Sequence, residues 1–192
     1  DPLWSRGLGD VYKRQAEYSA PYLPHLTMEP LNCTAQLLDG RLRLWIPTQV
    51  PSIAVSTAAR VAGVSEDQVD LHPTYVGTGF GRRLETDIVA QAVALALEMP
   101  GVPVQLVWRR EDDLAHDFYR PASVARLTAV LGTEHRIKSL QIKSASAAPI
   151  QQLLHRAFGV PAVGPDKTAA EGLFDHPYEI PNQEIALSLI HI

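Results

Sequence analysis

Apolar and polar positions change period several times along this chain, and each change marks an element. "LNCTAQLLDGRLRLWIPTQVP" carries two short apolar segments joined at Asp39-Gly40. Asp-Gly between such runs predicts a β-hairpin. In "SIAVSTAARVAGV" small and apolar residues fall at helical spacing, with Ser52 after Pro51 as candidate N-cap and Gly63 as stop. "QVDLHPTYV" alternates as a strand does, with Val69, Leu71 and Val76 as apolar points. From Glu85 to Met99 the spacing is helical and mostly apolar, which predicts a buried helix. "VPVQLVWRR" then reads as a short strand and "REDDLAHDFYRP" as a polar turn of helix closed by Pro121. "SVARLTAVLG" and "RIKSLQIKSAS" alternate as two strands around a turn at 132–135. "PIQQLLHRAFG" predicts a short helix ended by Gly159, the stretch 160–172 a loop, and "HPYEIPN" an extended segment. The order predicts one mixed α+β domain: a mixed sheet, two principal helices, and the loop 77–83 at a strand-to-helix junction.

Composition narrows the function classes. The 192 residues, 46% hydrophobic and 20% charged, suit an ordinary globular chain. The net charge of −4 argues against a general nucleic-acid or membrane-surface binder. A lone cysteine, Cys33, excludes an internal disulfide and a cysteine-only zinc site. The longest apolar run, "IVAQAVALALEM", is too short for a bilayer and contains Gln91. "GDVYKRQ" near the start and "LSLIHI" at the finish resemble translated sequencing-adapter read-through, and the start lacks a signal peptide's apolar core. Segments 1–15 and 187–192 are therefore expected to be foreign tails, the first unpacked, around a partial domain at 16–186.

Candidate chemistry centres on "VGTGFGRRLETD", residues 76–87. Glycine permits close backbone approach, arginine offers a donor fork, and a helix start adds free N–H groups, so an anionic ligand is expected. Gly77, Gly79 and Gly81 are spaced G-x-G-x-G, with Arg82 where a dinucleotide fingerprint has its third glycine. A Rossmann-type nucleotide domain stays open as an alternative, and predicts a parallel sheet with a helix N-terminus at Gly81. No P-loop lysine follows. His25 and Glu29 stand at helical spacing like a metal or acid–base pair, although Pro21, Pro24 and Pro30 oppose a helix there. The alternative for Glu29 is a carboxylate bonded to backbone N–H groups. Arg82 and Arg83 could equally pair with Glu85 and Asp87. The run from Arg109 to Asp113 reads as a solvated charge cluster, and His116 and Asp117 as residues holding a turn, since no nucleophile motif accompanies them.

The loop does not stand alone. "YLPHLTMEPLNCTA", "WIPTQVP", "GTGFGRR", "LVWRREDDLAHDFYRP" and "HPYEIPN" occur in that order. Together they resemble the molybdopterin-binding large subunit of the xanthine dehydrogenase and aldehyde oxidase family, of the isoquinoline 1-oxidoreductase β-subunit type. The resemblance implies a molybdenum cofactor on molybdopterin, in its cytosine dinucleotide form. It also implies oxidation of an N-heterocycle or aldehyde, an iron–sulfur small subunit as electron partner, and possible association with a cytochrome c subunit. It assigns cofactor contacts to Gly77, Thr78, Gly79, Phe80, Gly81, Arg82 and Gln49, with the Phe80 N–H facing the metal's oxygen and the Gln49 amide reaching the cofactor. Thr78 replaces a usual glycine, and a threonine at positive φ is strained, so the loop is expected to differ locally. Leu23 stands where more distant members supply a glutamine. The family's general-base glutamate belongs to a later segment, so this chain is expected to be a fragment that is inactive alone. The compartment stays open between bacterial cytoplasm and periplasm.

Overall fold

A computed structural model describes residues 12–132, 136–161 and 166–189. These separate into two compact units: Pro24–Tyr119, and a second unit drawn from 1–23 and 120–192. Both are built of sheet and helix, so the α+β class holds.

The unit Pro24–Tyr119 forms around the predicted hairpin. Strands β2 (Asn32–Leu38) and β3 (Arg41–Ile46) pair antiparallel. Asp39 and Gly40 turn between them with φ of 51° and 75°, the double left-handed conformation that a two-residue hairpin loop requires. β4 (Val69–Pro73) joins β3 in parallel, and β5 (Val104–Val107) joins β2 antiparallel, giving the order β4-β3-β2-β5. This mixed sheet is not the parallel sheet of a dinucleotide-binding domain, which removes the Rossmann alternative. Helices α1 (Pro51–Ala62) and α2 (Asp87–Leu97) cover one face. Cys33, Ala35, Leu42 and Leu44 from the strands meet Ala54, Ala58, Val89, Ala92 and Val93 from the helices, all fully buried. α1 starts with Pro51 in its first turn and Val50 as N-cap, so Ser52 is not the cap. Proline suits that turn because its missing N–H would have no helical partner there. Gly63 ends the helix at φ 69°, as predicted. α2 is shorter than the expected 85–99, because a separate 3-10 turn, Arg82–Leu84, precedes it and Glu85 is extended. The short α3 (Arg110–Ala115) closes the unit.

The other unit is a sheet of order β1-β6-β7-β8, made from β1 (Tyr12–Ala20), β6 (Ser123–Leu131), β7 (Ile137–Ser146) and β8 (Asn182–Leu189). Tyr12–Gln15, expected to be unpacked, pair with Thr128–Leu131, and Leu187–Leu189 pair with Ser144–Ser146. Trp4 and Val11 lie outside the described residues. α4 (Pro149–Phe158) ends at Gly159, φ 65°, as its sequence predicted. The described residues thus hold four α-helices, the two principal ones and the two short ones that the sequence predicts. None is long and apolar enough to cross a membrane.

Candidate functional site

The glycine loop follows β4 and lies against the segment 25–29. Its backbone reverses the usual division of labour between glycine and other residues. Thr78 and Phe80 occupy left-handed conformations, φ 75° and 53°, as does Gly81 at 98°. Gly77 and Gly79 do not, and are needed for space instead. A Cβ on Gly77 would lie 2.5 Å from Glu29 Cβ, and one on Gly79 would lie 2.5 Å from Gln49 Oε1. Left-handed φ costs a non-glycine residue about 1–2 kcal/mol. Thr78 is held there by two bonds: its hydroxyl accepts the Met28 N–H at 2.8 Å, and its carbonyl accepts Arg83 Nε–H at 2.9 Å. Thr78 thus occupies the left-handed region that favours glycine.

Two buried arginines frame the loop. Arg83, 2% exposed, donates to Glu29 Oε2 and to the Glu29 carbonyl, both at 2.9 Å, and to the Pro47 carbonyl at 3.2 Å. Burial lowers its pKa from the ordinary value against the opposing charges of Glu29 and Asp113. Glu29 Oε2 also accepts the Gly77 N–H at 2.9 Å, so one carboxylate ties the loop's entrance to its exit. This is the backbone-bonded alternative for Glu29, and no helix places it beside His25. Arg82, 1% exposed, forms a forked pair with Asp87 at 3.0 and 2.7 Å, below the rings of Trp108 and Phe118. Its Nε lies 3.1 Å from Asp117 Oδ1 but without hydrogen-bond geometry. The Arg82 guanidinium thus takes Asp87, one of the two partners the sequence left open for it. Arg83 pairs with Glu29, not with Glu85 or Asp87.

His25 and Asp117, 92 residues apart, meet directly. The ring Nδ1 is 2.8 Å from Asp117 Oδ1, and the His25 backbone N–H donates to the other carboxylate oxygen. Burial raises the Asp117 carboxyl, but the bonds from His25 and the charge of Arg82 outweigh it and hold the group below the ordinary carboxylate value. Asp117 is therefore more than a turn-holder. Nothing in the local sequence signalled this pair or the Glu29–Arg83 pair. His116 packs edgewise on Trp108 with Nδ1 3.0 Å from the Asp112 carbonyl. In the 109–113 run, Arg109–Asp112 is a solvated pair as expected, but Asp113 is buried and holds Arg110 at 2.8 Å. Burial raises the Asp113 carboxyl, against the charges of Arg110 and Arg82. Leu23 and Arg120 form an isolated bridge in the other unit.

What faces outward is backbone and amide. Phe80 is 54% exposed. Gln49 donates its backbone N–H to the Arg83 carbonyl at 3.1 Å, and its Oε1 accepts the Gly81 N–H at 3.3 Å. No hydrogen bond among the described residues uses the Gly79 N–H or the Gln49 Nε2 group. Cys33 is buried and its thiol is pushed up to about 12, which makes it inert. The described residues hold no cluster of His, Cys, Asp or Glu suited to a metal ion. The donor set fits a group bound through backbone N–H and an amide.

Comparison with known proteins accords with this chemistry. The chain is 32% identical over 151 residues to the isoquinoline 1-oxidoreductase β subunit of Brevundimonas diminuta, covering 78% of this chain and 19% of that protein. It is 32% identical over 167 residues to the membrane-bound aldehyde dehydrogenase (pyrroloquinoline-quinone) of Gluconacetobacter polyoxogenes, covering 85% and 21%. The fold matches the aldehyde oxidoreductase of Desulfovibrio gigas with a TM-score of 0.60 at 14% identity, over 92% of this chain and 19% of that one. The chain spans about a fifth of the curated relatives it matches. The model of the molybdopterin cofactor-binding domain matches residues 9–190, and the chain belongs to that family, the molybdopterin-binding part of the xanthine dehydrogenase and aldehyde oxidase group.

Proposed function

We propose that this chain is one segment of a molybdenum hydroxylase or aldehyde oxidoreductase large subunit, and that its loop 77–81 with Gln49 forms part of the molybdopterin cradle. The observation that carries this reading is the loop's construction. Gly77 and Gly79 let Glu29 and Gln49 pack against the loop, Thr78 and Phe80 are left-handed, and no hydrogen bond among the described residues uses the Gly79 N–H or the Gln49 Nε2 group. When bound, the cofactor supplies two-electron oxidation of an electron-poor carbon in an N-heterocycle or aldehyde. This chain's residues bind and orient it. The backbone N–H groups would face its oxygens, Gln49 would add an amide contact, and Glu29, Arg83 and Arg82 would fix the loop so that these donors need no reorganisation. Arg82 acts by holding the loop, not by reaching the ligand. The cytosine dinucleotide form and an iron–sulfur small subunit as electron acceptor, with a cytochrome c subunit in some assemblies, belong to the same proposal.

Expression of the full-length parent polypeptide in a host that matures the cofactor tests it. Molybdenum, molybdopterin and a cytidine nucleotide are expected at about one each per chain, with dye reduction by an aldehyde or N-heterocycle. Gly79→Ala is expected to lower molybdenum content by driving a Cβ into Gln49. A full-length protein without molybdenum, or a G79A protein with full content, would overturn the assignment. The 192-residue chain alone is expected to hold no stable molybdenum, because a few donors from one loop do not make a complete site.

A further inference from the structure

His25 is fixed more firmly than a loop histidine needs to be. Asp117 takes both its backbone N–H and its ring Nδ1. Since the Asp117 carboxylate accepts, Nδ1 carries a proton, and the tautomer this selects has its lone pair on Nε2. That nitrogen lies 3.6 Å from the position a Cβ would take on Gly81, so it sits beside the loop at Gly81. It has no hydrogen-bond partner among the described residues, yet the side chain is only 12% exposed. A protected acceptor beside a glycine edge, oriented by a buried carboxylate, is arranged to meet something that approaches that edge.

We propose that His25 Nε2 is a direct hydrogen-bond acceptor for an N–H or O–H group of the ligand held by the glycine loop, with Asp117 as the residue that positions it. This rests on the cradle reading above and adds to it a side-chain contact from a segment 50 residues upstream of the loop (Met28 and Thr78 mark the same junction). The pair divides its labour: Nδ1 with Asp117 joins two distant segments, while Nε2 serves the ligand. A purely structural role would need only the first half.

Two substitutions separate the halves in the full-length enzyme. His25→Asn keeps an N–H donor near the Nδ1 position and deletes Nε2. Asp117→Asn keeps the carboxyl shape but presents an amide, which removes the enforced tautomer. For His25→Asn, thermal unfolding close to wild type is expected together with release of molybdopterin at least tenfold faster, followed by molybdenum analysis and by fluorescence of the freed, oxidised pterin. Asp117→Asn is expected to lose cofactor 10–100-fold, as oriented partners of binding groups generally do. His25→Gln, which returns a polar group near the Nε2 position, should recover part of the retention. Wild-type retention in His25→Asn overturns the proposal and leaves His25 a structural clasp. If His25→Asn fails to fold, Asp117→Asn decides, and unchanged retention there overturns it equally. A wild-type enzyme that carries no molybdopterin overturns the cradle reading and this inference together, whereas a loaded wild type with an equally loaded His25→Asn overturns this inference alone.

Discussion

The unit Pro24–Tyr119 and the sheet β1-β6-β7-β8 use the same alternation of apolar and polar residues and reach different ends. In β3, Leu42, Leu44 and Ile46 are buried while Arg41 and Arg43 are exposed, because α1 and α2 cover one face of that sheet. In β6 and β7, Ile142 and Ser146 are the buried positions, and every other described residue keeps contact with solvent. α4 is amphipathic by sequence, yet it buries no residue, and Leu154 and Phe158 remain 40% and 55% exposed. Alternation states which face would be buried, and a second layer is needed to bury it. The difference separates a unit with its own core from one whose apolar face is left uncovered among the described residues.

Arg82→Met should produce the largest effect, a loss of about 3–5 kcal/mol, because it leaves Asp117 buried without its cation. Trp45 and Trp108 lie in Pro24–Tyr119 and Trp4 does not, so denaturation followed by fluorescence in a Trp4→Phe background reports that unit, and a loss below about 1 kcal/mol would break the claim of an internally braced loop. The same set of charges gives that unit an acid limit. The folded Asp117 carboxyl is depressed, so its contribution is present above the unfolded value near 4 and is lost as pH falls through the folded value. Asp117→Asn should flatten that limb.

Leu44→Ala should cost about 2–5 kcal/mol, whereas Leu154→Ala should cost under about 0.5 kcal/mol. Leu44 is fully buried and Leu154 is not, so equal losses would show that α4 has a covered face after all. The smallest effect concerns the loop. Thr78→Val keeps the left-handed strain and deletes the bond to Met28, for about 1 kcal/mol, while Thr78→Gly loses the bond and relieves the strain, and should be near neutral. Hydrogen exchange at the Met28 amide distinguishes them from wild type, and a stabilised Thr78→Val would contradict the account of how Thr78 is held.

Much of the fold was legible because its signals are local. Asp39-Gly40 specifies a hairpin by backbone conformation alone, and Gly63 and Gly159 end helices for the same reason. Val69–Pro73 and Val104–Val107 announced themselves by spacing and flanking turns. Errors arose where a distant partner decides. Tyr12–Gln15 read as an unpacked tail because their strand exists only through Thr128–Leu131. The loop itself was visible as glycine and arginine, and Asp87 was one of the partners open to Arg82, but the partner of Arg83, Glu29, was not legible.

By itself the sequence determined the family, the hairpin, the helix ends and the residues of the loop, because each rests on neighbours within a few positions or on an ordered set of short motifs. Only the tertiary structure decided that Gly77 and Gly79 are glycines for space rather than for φ, that Thr78 takes the left-handed place, and that Glu29 and Asp117 hold Arg83 and His25 across 54 and 92 residues. The physical reason is desolvation. A buried guanidinium or carboxylate must find its counter-charge wherever folding brings one, and spacing along the chain carries no record of that meeting.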